Sequence, residues 1–147
     1  MRALIQRVTN ARVSVAGKVS GEIGGGLCVF LGVFPEDTEK DIGWLVEKII
    51  NLRIFDDQDG KMNVSLVDTN GSLLVVSQFT LCGDCRHGRR PSWVRAAEPV
   101  FANSMYEKFI NAARAKGVRT ETGVFQAVME VELCNDGPVT LMIDSRE

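Results

Sequence analysis

Residues 70–80 read NGSLLVVSQFT, and how this stretch is read decides the fold. Asn70-Gly71 is a pair that accepts positive φ at low cost, so it signals a tight reversal of the hairpin kind. The run Leu73 to Val76 that follows is aliphatic without alternation, as expected of a central strand covered on both faces. Polar groups return only at its C-terminal end, in Ser77, Gln78 and Thr80. The stretch therefore predicts a buried strand whose tip presents hydroxyl and amide groups.

Working outward, Leu27-Cys28-Val29-Phe30-Leu31 is a second buried-strand candidate, preceded by Gly24-Gly25-Gly26. Those glycines lead into a strand rather than a helix, and no Gly-Lys-Ser/Thr follows, so they do not make a phosphate loop. Val13, Val15, Val19 and Ile23 alternate around Ala16-Gly17-Lys18 as in a hairpin. Ile42, Leu45, Val46, Ile49 and Ile50 fall at i, i+3, i+4, i+7 and i+8, which marks an amphipathic helix capped by Asp37 or Thr38. A second helix is expected over 99–116, with Phe101, Met105, Phe109 and Ala113 four apart and Gly117 as its C′ residue. Strands are expected at 118–122, 126–134 and 139–144. Around Asp59-Gly60, alignment to a calcium loop would put Phe55 at the first ligand position, so this is read as a turn. The order predicts an α+β (mixed α/β) fold: a barrel-like sheet with two main helices packed against it, residues 1–147 forming one domain.

A chain of 147 residues buries roughly 70% of its unfolded surface, enough for a core without metal or disulfide. Arginines at positions 2, 7 and 12 interrupt the opening apolar run, which argues against a signal peptide or membrane span and for a cytoplasmic address. Thiols stay reduced there, so the four cysteines are not read as two disulfides. A net charge of −2 argues against a general polyanion binder. One local basic patch stands out: Arg86, His87, Arg89 and Arg90, with Arg95 following.

Cys82-x-x-Cys85 and His87 invite a metal or redox reading. A closed zinc site needs four ligands, and there is neither a second pair nor another histidine. Cys28 and Cys134 lie in strand-like runs, where buried thiols behave as small hydrophobes. A redox pair would open a helix, whereas Gly83-Asp84 reads as loop. No Gly-x-Ser-x-Gly elbow pairs a nucleophile with a base. No metal or cofactor is therefore expected. Asn135-Asp136-Gly137-Pro138 reads either as a plain turn or as a rigid backbone probe aiming two carbonyls one way, with the proline isomer left open.

Taken together, the opening MRALIQRV, the stretch GKMN (60–63), SQFTL (77–81), GRRPSW (88–93) and NDGPVT (135–140) resemble the D-aminoacyl-tRNA deacylase family over essentially the whole chain. These are homodimeric enzymes that hydrolyse the ester of D-amino acids mischarged onto tRNA. The resemblance implies that the 3′-terminal adenosine of an aminoacylated tRNA enters a pocket floored by Ser77, Gln78, Phe79 and Thr80, on the family's active-site strand. Backbone N–H groups near Gln78 and Phe79 would hold the oxyanion. Water attacks with help from the ribose 2′-hydroxyl, and Thr80, the alternative nucleophile, shapes the pocket. Gly137 and Pro138, from the partner subunit, would exclude L side chains and admit D side chains and glycine. Arg7 would brace that loop, and Arg86, Arg89 and Arg90 would contact tRNA. Trp93 stands where the family has phenylalanine. The competing readings are a deacylase of relaxed chirality with a trans Gly-Pro turn, and a metal- or RNA-binding module without turnover.

Overall fold

The computed structural model describes residues 1–147. Asn70 is left-handed (φ 52), but the pair does not open a hairpin. Gly71 N–H returns to the Leu66 carbonyl at 3.2 Å. The strand that follows, β6 (Ser72–Ser77), runs parallel to both its neighbours, β3 (Gly26–Gly32) and β7 (Thr120–Thr122). The dipeptide specifies a local reversal, while the pairing partner is chosen by burial. Leu73, Leu74, Val75 and Val76 are all fully buried, which only a position covered on both faces allows.

Parallel neighbours need crossovers, and the two helices supply them. α1 (Glu39–Asn51) lies between β3 and β6 in the chain, and α2 (Pro99–Ala115) lies between β6 and β7. The rest of the main sheet is antiparallel. β1 (Arg2–Val15) pairs with β8 (Glu130–Asp144) along nearly all its length. It also pairs with β3 over residues 2–8 and with β2 (Lys18–Ile23) over 11–15. The order is β2-β1-β3-β6-β7 with β8 on β1, and a separate ribbon joins β4 (Phe55–Asp56) to β5 (Met62–Val64).

The period-2 alternation of strands divides the core. Leu27, Val29, Leu31, Leu73 and Val75 face the helices, while Cys28, Leu74 and Val76 join Val13 and Ile23 on the inner face of the curled sheet. α1 buries Ile42, Leu45, Val46, Ile49 and Ile50, the stripe its sequence announced, each worth roughly 1.5–3 kcal/mol. Its N-cap is Thr38, with Asp41 closing a capping box. Asp37 is instead buried, accepting from the Met1 ammonium at 2.6 Å and from Phe34 N–H at 2.7 Å. In α2 the buried stripe is Ala102, Met105, Tyr106, Phe109, Ile110 and Ala113, and Phe101 is exposed. A strict four-residue row drifts about 40° per step at 3.6 residues per turn, so Phe101 has rotated off the face that Ala113 occupies. Gly117 takes the expected C′ place with φ 79.

The sheet curls until β2 nears β7. A Cβ at Gly21 would lie 2.4 Å from the Thr122 carbonyl oxygen, so a bare Cα is what lets the two backbones approach. Gly21→Ala is expected to cost about 1–3 kcal/mol, the range for overpacking a closed site, read as a lower urea midpoint at an unchanged m-value. A midpoint within error of the parent would show that the closure tolerates a methyl group.

Candidate active site

Ser77 ends β6 opposite Leu31, and Gln78 N–H continues the ladder by donating to the Leu31 carbonyl at 2.8 Å. The chain then coils into a 3₁₀ turn, Phe79–Cys82. Three contacts hold it. Leu81 N–H donates to the Gln78 carbonyl at 3.2 Å, Arg2 Nη1 donates to the Leu81 carbonyl at 3.0 Å, and the Cys82 thiol donates to the Val33 carbonyl at 3.4 Å. Gly32 makes room, since a Cβ there would sit 3.1 Å from Cys82 Sγ. Burial raises the Cys82 thiol to about 11, so this sulfur is a packed group and not a thiolate.

The active-site strand expected through Thr80 therefore stops at Ser77, with Phe79 and Thr80 on the turn. This changes which donors are free. Gln78 N–H is occupied, whereas the N–H groups of Phe79 and Thr80, the first two of the turn, have no acceptor in the chain. Two adjacent unpaired donors thus belong to exposed residues at the strand tip. Gln78 Nε2 donates to Thr80 Oγ1, and no carboxylate, imidazole or amine stands within hydrogen-bond distance of that hydroxyl.

Beside the turn lies a cavity of about 590 Å³ with mostly apolar walls. Ser77, Gln78 and Phe79 line it, with Tyr106 of α2 and Phe125, Gln126 and Met129 of the segment before β8. Tyr106 donates its hydroxyl to the Val75 carbonyl at 2.8 Å, and burial pushes it up to about 12, which removes it as an acid–base group at neutral pH. Residues 126–129, expected as strand, are loop, and β8 begins at Glu130. Gln126 is left-handed, with φ 61. Sequence reasoning missed Tyr106, Phe125 and Gln126, because an aromatic on a helix stripe or in a loop carries no local mark of lining a cavity.

The basic loop is pinned at its base by the reciprocal pair Asp84 N–H to Ser92 O and Ser92 N–H to Asp84 O, both 2.9 Å. Arg86 grips Asp84 through its side chain and holds that carboxyl far below the usual range. Arg89 and Arg90 are exposed and free of ion pairs. Trp93 packs edge-on against Phe79, ring centroids 5.5 Å apart, over Gly83, where a Cβ would meet the indole at 2.4 Å. Cys85 is exposed while Cys82 is buried, and no group of three His, Cys, Asp or Glu side chains forms. Cys134, expected inside, is also exposed, because alternate residues of β8 face outward.

The last motif lies within β8, which the sequence had divided into two strands. Gln6 pairs with Thr140 and Val8 with Asn135, so five steps of β8 match two steps of β1 and residues 136–139 form a bulge, with Gly137 and Pro138 exposed and Val139 buried in the core. Arg7 sits beneath the bulge, 4% exposed. It donates to the carbonyls of Ile54 (2.6 Å), Asp136 (3.2 Å) and Gly137 (3.4 Å) and pairs with the Asp136 carboxylate at 3.0 Å. Asn135 Nδ2 donates to the carbonyls of Arg7 (2.9 Å) and Val139 (3.1 Å). The Gly137-Pro138 peptide is cis, and both residues are exposed. Neither lines the cavity. Val131 is the last residue of β8 to do so, and six further residues of strand span about 20 Å. One chain thus holds Arg7, Gly137 and Pro138 together, and Ser77 to Thr80 together, but does not join the two groups.

Paired backbone donors beside an apolar pocket, on a mixed α+β frame, are an arrangement able to polarise a bound carbonyl. The family model described as D-Tyr-tRNA(Tyr) deacylase matches residues 4–144. A relative from Thermosipho africanus, named D-aminoacyl-tRNA deacylase, is 59% identical over all of this chain and 99% of its own length. A solved structure named c-Myc DNA Unwinding Element Binding Protein is 40% identical, with TM-score 0.92 and 98% of each chain covered. A second, of a probable eukaryotic D-amino acid tRNA deacylase, shares the fold at 18% identity, with TM-score 0.84 and 97% of each chain covered. The chain belongs to the D-Tyr-tRNA(Tyr) deacylase family.

Proposed function

We propose that this protein hydrolyses the ester joining a D-amino acid to the 3′-terminal adenosine of tRNA. The observation that carries the reading is the unpaired N–H pair of Phe79 and Thr80, on a turn whose first residue, Phe79, lines the cavity while Thr80 lies just outside it. An ester carbonyl placed there gains two donors as its oxygen becomes anionic, and one such donor is worth roughly 3–4 kcal/mol in the transition state. Water is the nucleophile, assisted by the ribose 2′-hydroxyl. Thr80 lacks a base to activate it and already accepts a hydrogen bond from Gln78. The adenosine occupies the 590 Å³ cavity, a size within the usual range for small-ligand sites.

Selection by chirality needs a second copy of the chain. Gly137 and Pro138 are exposed and too far along β8 to reach their own cavity, so in a homodimer the partner subunit's Gly137 and Pro138 face the substrate α-carbon. L side chains clash with these backbone atoms; D side chains and the hydrogen of glycine do not. Exposed Leu141 and Met142 beside the bulge supply apolar surface for such a contact. Arg89 and Arg90, beside the cavity through the Trp93–Phe79 contact, meet tRNA phosphates, with Arg86 braced behind them on Asp84. No helix is long and apolar enough to cross a membrane.

The reading is tested with D-tyrosyl-, L-tyrosyl- and glycyl-tRNA under identical conditions. The D and glycyl esters are expected to be hydrolysed and the L ester spared. Comparable rates on D- and L-tyrosyl-tRNA would overturn the chiral gate.

A further inference from the structure

We infer that the side-chain amide of Gln126 reads the base of the 3′-terminal adenosine. The inference rests on the cavity being the adenosine site and goes beyond it by assigning base recognition to a particular side chain. Gln126 lines the cavity with φ 61, a conformation that costs a residue with a Cβ about 1–2 kcal/mol and glycine almost nothing. That conformation belongs to the turn Val124–Ala127, closed by Ala127 N–H donating to the Val124 carbonyl at 3.2 Å, and it sets the Gln126 side chain at the cavity. Among the polar groups at the cavity, Gln78 Nε2 donates to Thr80 and the Tyr106 hydroxyl to Val75, but the Gln126 amide takes no partner from the chain. Its side chain is exposed, between Phe125 and Ala127, which line the same wall. The outcome is a free amide held at the edge of a mostly apolar slot.

A carboxamide offers a donor and an acceptor side by side. Adenine offers the complement, its 6-amino group next to a ring nitrogen, and glutamine engages that edge with two hydrogen bonds. Apolar walls with one such amide suit a purine that stacks and is read along one edge. Ser77, nearer the turn, is left for the ribose or the ester.

The test measures kcat/KM on D-tyrosyl-tRNA ending either in adenosine or in purine riboside, which lacks only the 6-amino group. Gln126→Gly is the variant, since glycine prefers the backbone conformation found there and its melting temperature should not fall. The parent protein is expected to lose about tenfold or more when the amino group is removed. Gln126→Gly is expected to lose a similar factor on the adenosine substrate and to treat both substrates alike. A parent indifferent to the amino group, or a Gln126→Gly protein that still discriminates as the parent does, overturns the assignment. Failure of the parent to hydrolyse the adenosine-ended ester at all would overturn the proposed function itself, so the two failures are distinct.

Discussion

Phe79→Pro is expected to hydrolyse D-aminoacyl-tRNA 10²- to 10³-fold more slowly in kcat than Phe79→Ala, the range for removing one oxyanion donor. Both variants lose the phenyl ring and its contact with Trp93, so their difference isolates the backbone N–H. Proline suits the position: Phe79 is the first residue of the 3₁₀ turn, where its N–H has no partner to lose, and the preceding Gln78 is outside the helical region that proline disfavours (φ −145, ψ 79). Thr80→Ala is the companion control. It keeps the second N–H and removes only the hydroxyl, so kcat should stay within about tenfold of the parent. Single-turnover rates at saturating enzyme check both. Equal rates for the proline and alanine variants would remove Phe79 N–H from the mechanism, and loss of turnover in Thr80→Ala with binding intact would make the hydroxyl the nucleophile.

Arg7→Ala is expected to lower stability by about 2–3 kcal/mol and to erase discrimination between D and L esters. The stability loss comes mainly from the Ile54 carbonyl, which accepts from Arg7 at 2.6 Å in a buried setting and would be left without a partner. The carboxylates of Asp56 and Asp136 are about half exposed and can rehydrate, so their ion pairs add little. For a chain of this size the melting temperature should fall by roughly 5–10 °C. The functional loss has another origin. One planar guanidinium spans the carbonyls of Ile54, Asp136 and Gly137, fixing the bulge relative to β1. An ammonium cannot make that set of contacts at once, so Arg7→Lys should recover part of the stability and little of the discrimination. Thermal denaturation and the ratio of D- to L-tyrosyl-tRNA rates, measured well below the transition, separate the two effects. A variant that unfolds at lower temperature yet keeps full discrimination would reduce Arg7 to a structural residue.

The parts of the fold legible in the sequence are those fixed by local periodicity. The α1 stripe reappears residue for residue in the core, and the Ala16-Gly17 reversal carries positive φ at both positions. Errors arose where a local signal was asked to name a distant partner. Asn70-Gly71 does reverse the chain, but β6 then pairs in parallel with strands some 45 residues away on either side. The four-residue row beginning at Phe101 ignored helical drift, and Cys134 was placed inside because a strand-like run does not reveal which face is covered.

The same division runs through the candidate site. Local chemistry marked Ser77 to Thr80, as polar groups ending an aliphatic strand, whereas Asn135 to Thr140 read locally as a turn or a backbone probe and became a site only through the family resemblance. Which amides remain free at residues 79 and 80, that Arg7 lies under Gly137, and that Gln126 borders the cavity were decided only by tertiary structure. Each depends on groups 45 to 130 residues apart competing for the same hydrogen-bond partners, and that competition is settled only once the sheet has closed.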